Sequence, residues 1–231
     1  MTTRAQVLAA LATVCDPELD EPITKLGFVG SYVVSQTGDV DVHLRLPTSQ
    51  CAPNFAYLMA SDAREAVRRV PEVGEVTVAL DDHYTGDEIN EAVGRGASFS
   101  EAFPGETHGE LDALRELFRR KALLARQGRV CQALLDDGLS PEAVVELTVA
   151  ELPGGSSEAS RCLELRRELG LPCALTSPAL VAGDGSALDA GSLTMWLRRA
   201  RLVGLSLESN GGICRSLLRV RYGVPDPTEE N

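Results

Sequence analysis

Two short segments carry the residues best suited to chemistry. Asp16-Pro17-Glu18-Leu19 puts a carboxylate on a proline-stiffened turn, and Pro47-Thr48-Ser49-Gln50-Cys51-Ala52-Pro53-Asn54 puts one cysteine just ahead of an expected helix. Backbone N–H groups and the helix dipole at such a position favour thiolate over thiol, and the thiolate is the form that ligates metal or carries sulfur. Asp-Pro is equally a common helix stop, so the first segment has a structural reading beside the functional one. Asn54 is the expected N-cap, which leaves Cys51 just outside the helix and accessible. Cys214 follows Ser209-Asn210-Gly211-Gly212, read as a helix start with the same electronic setting, and is a candidate additional ligand. Asp81, Asp82, His83, Asp87 and Glu88 could bind a cation, but a solvated loop with acidic residues at a helix start reads the same way. His43 is expected on a strand surface and His108 in a linker. Cys131, Cys162 and Cys173 lie in apolar surroundings and are expected in a core.

The elements that must position these residues follow from hydrophobic spacing. Val7, Leu8, Leu11 and Val14 recur at helical spacing with Thr3 as N-cap, and Asp16-Pro17 should end that helix. Residues 29–35 and 40–46 read as strands joined by Thr37-Gly38-Asp39. Val40, Val42, Leu44 and Leu46 share one face and Asp41, His43 and Arg45 the other, so one face is buried and one solvated. A helix over 54–70, a strand through Val76, Val78 and Leu80, and a helix from Gly86 complete the order α-β-β-α-β-α. The expected fold class is α+β, a small two-layer sandwich followed by a mainly helical second domain. The boundaries expected are 1–94 for the sandwich, 95–106 for a Gly/Ser/Pro linker and 107–231 for the helical part. There, helices are expected over 109–126 with a continuation to 135, then over 141–152, 157–169 and 191–203, with a last one beginning near Ser209-Asn210.

Composition narrows the function. The chain has 231 residues, a net charge of −12, 44% apolar and 24% charged residues. The acidic balance argues against nucleic acid as main partner, since phosphate binding needs a cationic surface. No long uninterrupted apolar run is present, so neither a membrane span nor a signal peptide is expected. Six cysteines without C-x-x-C spacing fit reduced thiols in a cytosol rather than a zinc ribbon or a thioredoxin motif.

The starting helix, the Asp-Pro-Glu-Leu turn, Ile23-Thr24-Lys25-Leu26-Gly27-Phe28-Val29, the hairpin, the Thr/Cys/Pro loop and Val70-Pro71-Glu72-Val73-Gly74-Glu75-Val76 together resemble the SufT/PaaD-type iron–sulfur cluster assembly family over residues 4–93. The resemblance implies that Asp16 and Cys51 lie close together, with Glu18 and Thr48 nearby. It also implies a transiently held iron–sulfur cluster or iron, and a role in assembly, delivery or oxygenase maturation rather than metabolic catalysis. Two positions depart from that pattern. Ala52 stands between the cysteine and Pro53, and Asp81-Asp82-His83-Tyr84 replaces a Pro-Pro-Trp-like stretch. The tail and the Cys51–Tyr57 stretch are similar to extended members that accompany di-iron monooxygenases. One thiolate supplies one ligand where a cluster commonly takes four, so sharing with a homodimer partner, a client metalloprotein or a small thiol is expected. Rival readings are a metal-free adaptor for an oxygenase and a cysteine-dependent enzyme. Arg198, Arg199, Arg201, Arg215, Arg219 and Arg221 form a basic patch that recognises the client, docks onto the acidic half or is simply a solvated face.

Overall fold

A computed structural model describes residues 2–105 and 111–223, and His108 lies outside them. The chain divides into two compact units: Met1–Ala113 together with Ser209–Asn231, and Leu114–Glu208. The second is thus an insertion between the body of the first unit and its final segment.

The first unit has the expected order, α1 (Arg4–Leu11), β1 (Val29–Val34), β2 (Val40–Arg45), α2 (Pro53–Arg68), β3 (Val76–Asp81) and α3 (Gly86–Arg95), followed by the short α4 (Phe99–Ala102). Thr3 and Gln6 form a capping box that starts α1. The helix ends at Leu11, ahead of the Asp-Pro stop, where Thr13 Oγ1 donates to the Ala10 carbonyl at 2.7 Å. Val7 and Leu11 are fully buried, whereas Leu8 is 43% exposed. The sheet order is β1-β2-β3, with β1 antiparallel and β3 parallel to the central β2. A parallel pair needs a crossover, and α2 supplies it, covering the buried sheet face with Ala56, Met59, Ala60, Ala63 and Val67. Residues 95–105 do not behave as a spacer. Ser98 and Glu101 cap α4, and Phe99 and Phe103 are buried in the core of the first unit, so apolar burial overrides the Gly/Ser signal.

The second unit contains α5 (Asp112–Asp136) apart from its first residues, α6 (Pro141–Glu146), a 3-10 turn Val149–Glu151, α7 (Ser157–Glu168) and the first part of α8 (Ala190–Tyr222). The helix expected over 141–152 therefore breaks after Glu146, where Thr148 caps the 3-10 turn. Cys131 and Cys162 are core residues, while Cys173 is only half-buried. At Gly128 an added Cβ would stand 2.6 Å from the Ala200 Cβ, so a glycine is what lets α5 and α8 cross here. Arg166 is fully buried and donates to the carbonyls of Pro172, Pro178 (3.0 Å) and Ala179 (3.1 Å).

The largest departure from the expected elements is α8. It runs unbroken from Ala190 to Tyr222, so Ser209-Asn210-Gly211-Gly212 neither ends one helix nor begins another. Its last turns belong to the first unit, with Leu218 only 2% exposed in that core. Gly211 is buried, and a Cβ there would meet Glu21 Oε1 at 2.9 Å; the glycine permits close approach instead of breaking the helix. No helix among the described residues is long and apolar enough to cross a membrane.

Candidate functional site

Asp16 sits on a tight reversal. The Asp16 N–H donates to the Glu21 carbonyl (2.9 Å), Asp20 N–H to the Asp16 carbonyl (2.9 Å) and Ile23 N–H to the Val14 carbonyl (2.9 Å). Asp20 takes φ 53°, a left-handed conformation that aspartate tolerates better than most residues. Asp16 Oδ1 accepts from the N–H groups of Glu18 (2.8 Å) and Leu19 (2.9 Å). Those bonds favour the charged form, but burial outweighs them, the charges of Glu18 and Glu21 add to it, and the Asp16 carboxyl is pushed up to about 6.

Cys51 lies one residue before the N-cap of α2, which is Ala52, with Pro53 at the first helical position; Asn54 is not the cap, its Oδ1 accepting instead from Phe55 N–H. Thr48 Oγ1 stands 3.5 Å from Cys51 Sγ and accepts from Gln50 N–H at 3.2 Å, so Thr48 orders the loop as well as touching the sulfur. From the other side, His83 Nε2 lies 2.8 Å from the Cys51 carbonyl oxygen, and Tyr84 N–H donates to the Ser49 carbonyl at 3.1 Å. A carbonyl only accepts, so His83 carries its proton on Nε2, and Nδ1 accepts from Thr85 N–H (3.3 Å). Burial, joined by the nearby Arg221 charge, holds the His83 pKa below the usual imidazole value, consistent with this neutral tautomer. His83 therefore clamps the loop, a role not read from the sequence; its only signal there was the departure at 81–84 from the resembled pattern.

Cys214 does not have the setting expected of it. It lies inside α8 and not at a helix start, and burial pushes its thiol up to about 11, with further upward influence from Asp16, Cys51 and Glu18 and a downward one from Arg215. Two arginines anchor this part of α8. Arg215 Nη1 pairs with Glu21 Oε2 at 2.6 Å, while Arg221 donates to the carbonyls of Leu46 (3.1 Å) and Asp82 (2.8 Å). These two members of the basic patch act within the first unit, whereas Arg198, Arg199 and Arg201 lie exposed in the second.

The acidic stretch does not converge. Asp87 and Glu88 occupy the first turn of α3, and Asp81 bonds His43 Nδ1 at 3.0 Å, which together with Asp41 raises the His43 pKa at a half-exposed surface position. Among the described residues no group of three or more histidine, cysteine or carboxylate side chains is arranged to hold a metal ion. The one side-chain contact between Asp16, Glu18, Thr48, Cys51 and Cys214 is that of Thr48 with the Cys51 sulfur; Cys214, on α8, is influenced by the charges of Asp16, Cys51 and Glu18.

Replacing His83 with alanine removes the clamp on the Cys51 carbonyl. Iodoacetamide should then label Cys51 several-fold faster, at a stability cost of about 1 kcal/mol for the lost hydrogen bond. An unchanged labelling rate would show that the loop is held without His83.

The family described as iron–sulfur cluster assembly protein matches residues 4–78. An uncharacterized protein of Methanocaldococcus jannaschii is 34% identical over 91 residues, which are 39% of this chain and 94% of that protein. An iron–sulfur cluster carrier protein of Mycobacterium leprae is 35% identical over 78 residues, 34% of this chain but only 20% of the carrier's own length. No solved structure matches the chain.

Proposed function

Because the chain belongs to the iron–sulfur cluster assembly protein family, we propose that it is a cytosolic, non-enzymatic factor that holds iron or an iron–sulfur cluster briefly on Cys51 and passes it to a client metalloprotein such as an oxygenase. What supports the reading is the family match over residues 4–78, a stretch that contains both the buried Asp16 carboxyl and the half-buried Cys51 ahead of α2. The cluster here is cargo. A loop sulfur that is only half-buried can enter and leave a coordination sphere, and outside ligands fill the positions this chain leaves open. Asp16, near neutral pH, can hold or release a proton as thiols bind or let go. A cysteine-enzyme reading is weakened because His83 bonds the Cys51 carbonyl and not its sulfur, so the histidine at the loop does not serve as base. The metal-free adaptor reading draws on the second unit, where Arg198, Arg199 and Arg201 are exposed beside Met195 and Leu202 on α8, a composition suited to protein contact.

Anaerobic reconstitution with ferrous iron and sulfide separates the two. The carrier reading predicts visible-range absorbance in the wild type that is lost in Cys51→Ser; equal absorbance in both, or none in either, contradicts it.

A further inference from the structure

We propose that the outer edge of β1 is a self-association surface, on which a second copy of this chain lays its own β1 antiparallel across a two-fold axis through Val33. The proposal is independent of the carrier reading.

β1 and β3 are the outer strands of the sheet, and their free edges differ. On β3, Asn90 takes both backbone groups of Leu80, its Oδ1 accepting from the N–H (2.7 Å) and its Nδ2 donating to the carbonyl (3.3 Å). Arg64 Nε donates to the Val76 carbonyl at 3.3 Å. Side chains thus occupy the places that a further strand would need there. On β1 the outward residues are Tyr32 and Val34. Val40 N–H donates to the Glu75 carbonyl at 2.8 Å, so the backbone groups of Val40 and Val42 face β3. Their partners on β1, Val34 and Tyr32, therefore turn their own groups away from β2. Among the described residues one side chain reaches that edge: Arg4 Nη1 donates to the Tyr32 carbonyl (2.9 Å), with its guanidinium over the Tyr32 ring. Arg4 is exposed and can swing off when a strand arrives.

The composition of the edge selects the occupant. No charged residue lies between Lys25 and Asp39, although charge is the usual protection of a free edge, so a partner recognised by its charge finds nothing here. Val33 is 59% exposed on one face of the strand, and Tyr32 and Val34 are only partly buried on the other. Arg4 and Leu8 of α1, with Val29, Ser31 and Tyr32, border a recess of about 360 Å3. Ser31-Tyr32-Val33-Val34-Ser35 complements itself when reversed. In antiparallel pairing about Val33, Tyr32 of each copy exchanges two hydrogen bonds with Val34 of the other, Ser31 meets Ser35, and Val33 meets Val33. This register alone pairs both outward residues of each strand, because the irregularity at Gly30 and the turn closed by Ser35 and Asp39 end the regular edge on either side. The product is a six-stranded sheet with a self-complementary interface.

The test is sedimentation velocity on the full, reduced chain over roughly 1–200 μM. Wild type should move from monomer to dimer across that range. Val33→Lys puts two like charges opposite each other on the axis and should abolish the shift, while its urea unfolding stays as in wild type because the position is exposed. A wild type that remains monomeric, the result expected if the edge is kept for a client's strand, overturns the proposal, as does a Val33→Lys dimer equal to wild type. The register is read separately, and decides alone should Val33→Lys fail to fold. With diamide as a mild oxidant, two copies of Val33→Cys should join through position 33, read by peptide mass, since residues facing each other across such a pair are within disulfide reach. Ser31→Cys, also exposed, should not join through position 31. Equal cross-linking at both positions, or none at position 33, overturns the pairing.

Discussion

Removing residues 209–231 should destabilise the first unit by on the order of 5 kcal/mol, a large share of what a domain of this size ordinarily has. The expectation follows from what the last turns of α8 contribute to that unit. Leu218 is 2% exposed in its core, and Cys214 and Tyr222 pack against the same cluster. Arg215 holds Glu21 on the Asp16 turn, and Arg221 satisfies the carbonyls of Leu46 and Asp82. Burying a leucine accounts for roughly 2–3 kcal/mol and the arginine contacts for about 1 kcal/mol each. Hydrogen exchange read by mass spectrometry should show lost protection in α1, β1–β3 and α2. Leu218→Ala alone should reproduce about half of the effect, since a buried leucine-to-alanine change costs about 2–5 kcal/mol. Unaltered protection in the truncated chain would mean that the sandwich folds without α8.

The second large effect is a pH dependence centred on Asp16. Its folded-state pKa, about 6, lies above the ordinary 3.8, so the native state binds this proton more tightly than the unfolded chain does. Stability from this group is therefore fully present below the unfolded value and is lost as pH rises through the folded one. The whole shift corresponds to roughly 3 kcal/mol, of which roughly 2 kcal/mol falls between pH 4 and pH 7. Asp16→Asn keeps an acceptor for Glu18 and Leu19 N–H but cannot ionise. Urea unfolding should show wild type gaining roughly 2 kcal/mol relative to Asp16→Asn as pH falls from about 7 to about 4. Parallel profiles would show that the carboxyl is not held protonated by burial. Asp16→Ala also leaves those two N–H groups unpaired and should cost a further roughly 1 kcal/mol at every pH.

Much of this was legible in the sequence. The alternation of Val40, Val42, Leu44 and Leu46 gave the buried face of the central strand, and Pro17 and Pro53 marked the turn after α1 and the start of α2. The role of α8 was not legible, because local signals and tertiary packing conflict there. Adjacent glycines each weaken an isolated helix by about 1 kcal/mol relative to alanine, which makes residues 209–212 read as a break. The helix survives because Gly211 faces Glu21 and Leu218 is buried, long-range facts that no local window contains. The same conflict hid α4, where Phe99 and Phe103 anchor a segment whose glycines and serines suggest a linker. His83 was hidden differently, since a clamp on a carbonyl more than thirty residues away leaves no spacing pattern.

The central claim, that the first unit carries an iron–sulfur cluster on Cys51 and gives it up, is tested most directly by transfer. Protein reconstituted without oxygen is mixed with an apo-ferredoxin in the presence of a chelator that strips free iron, and the circular dichroism of the acceptor's cluster is followed. The predicted result is acceptor signal from wild type, and none from Cys51→Ser or from the same iron and sulfide without protein. Equal signal from Cys51→Ser, or a wild type that retains no cluster to transfer, would contradict it.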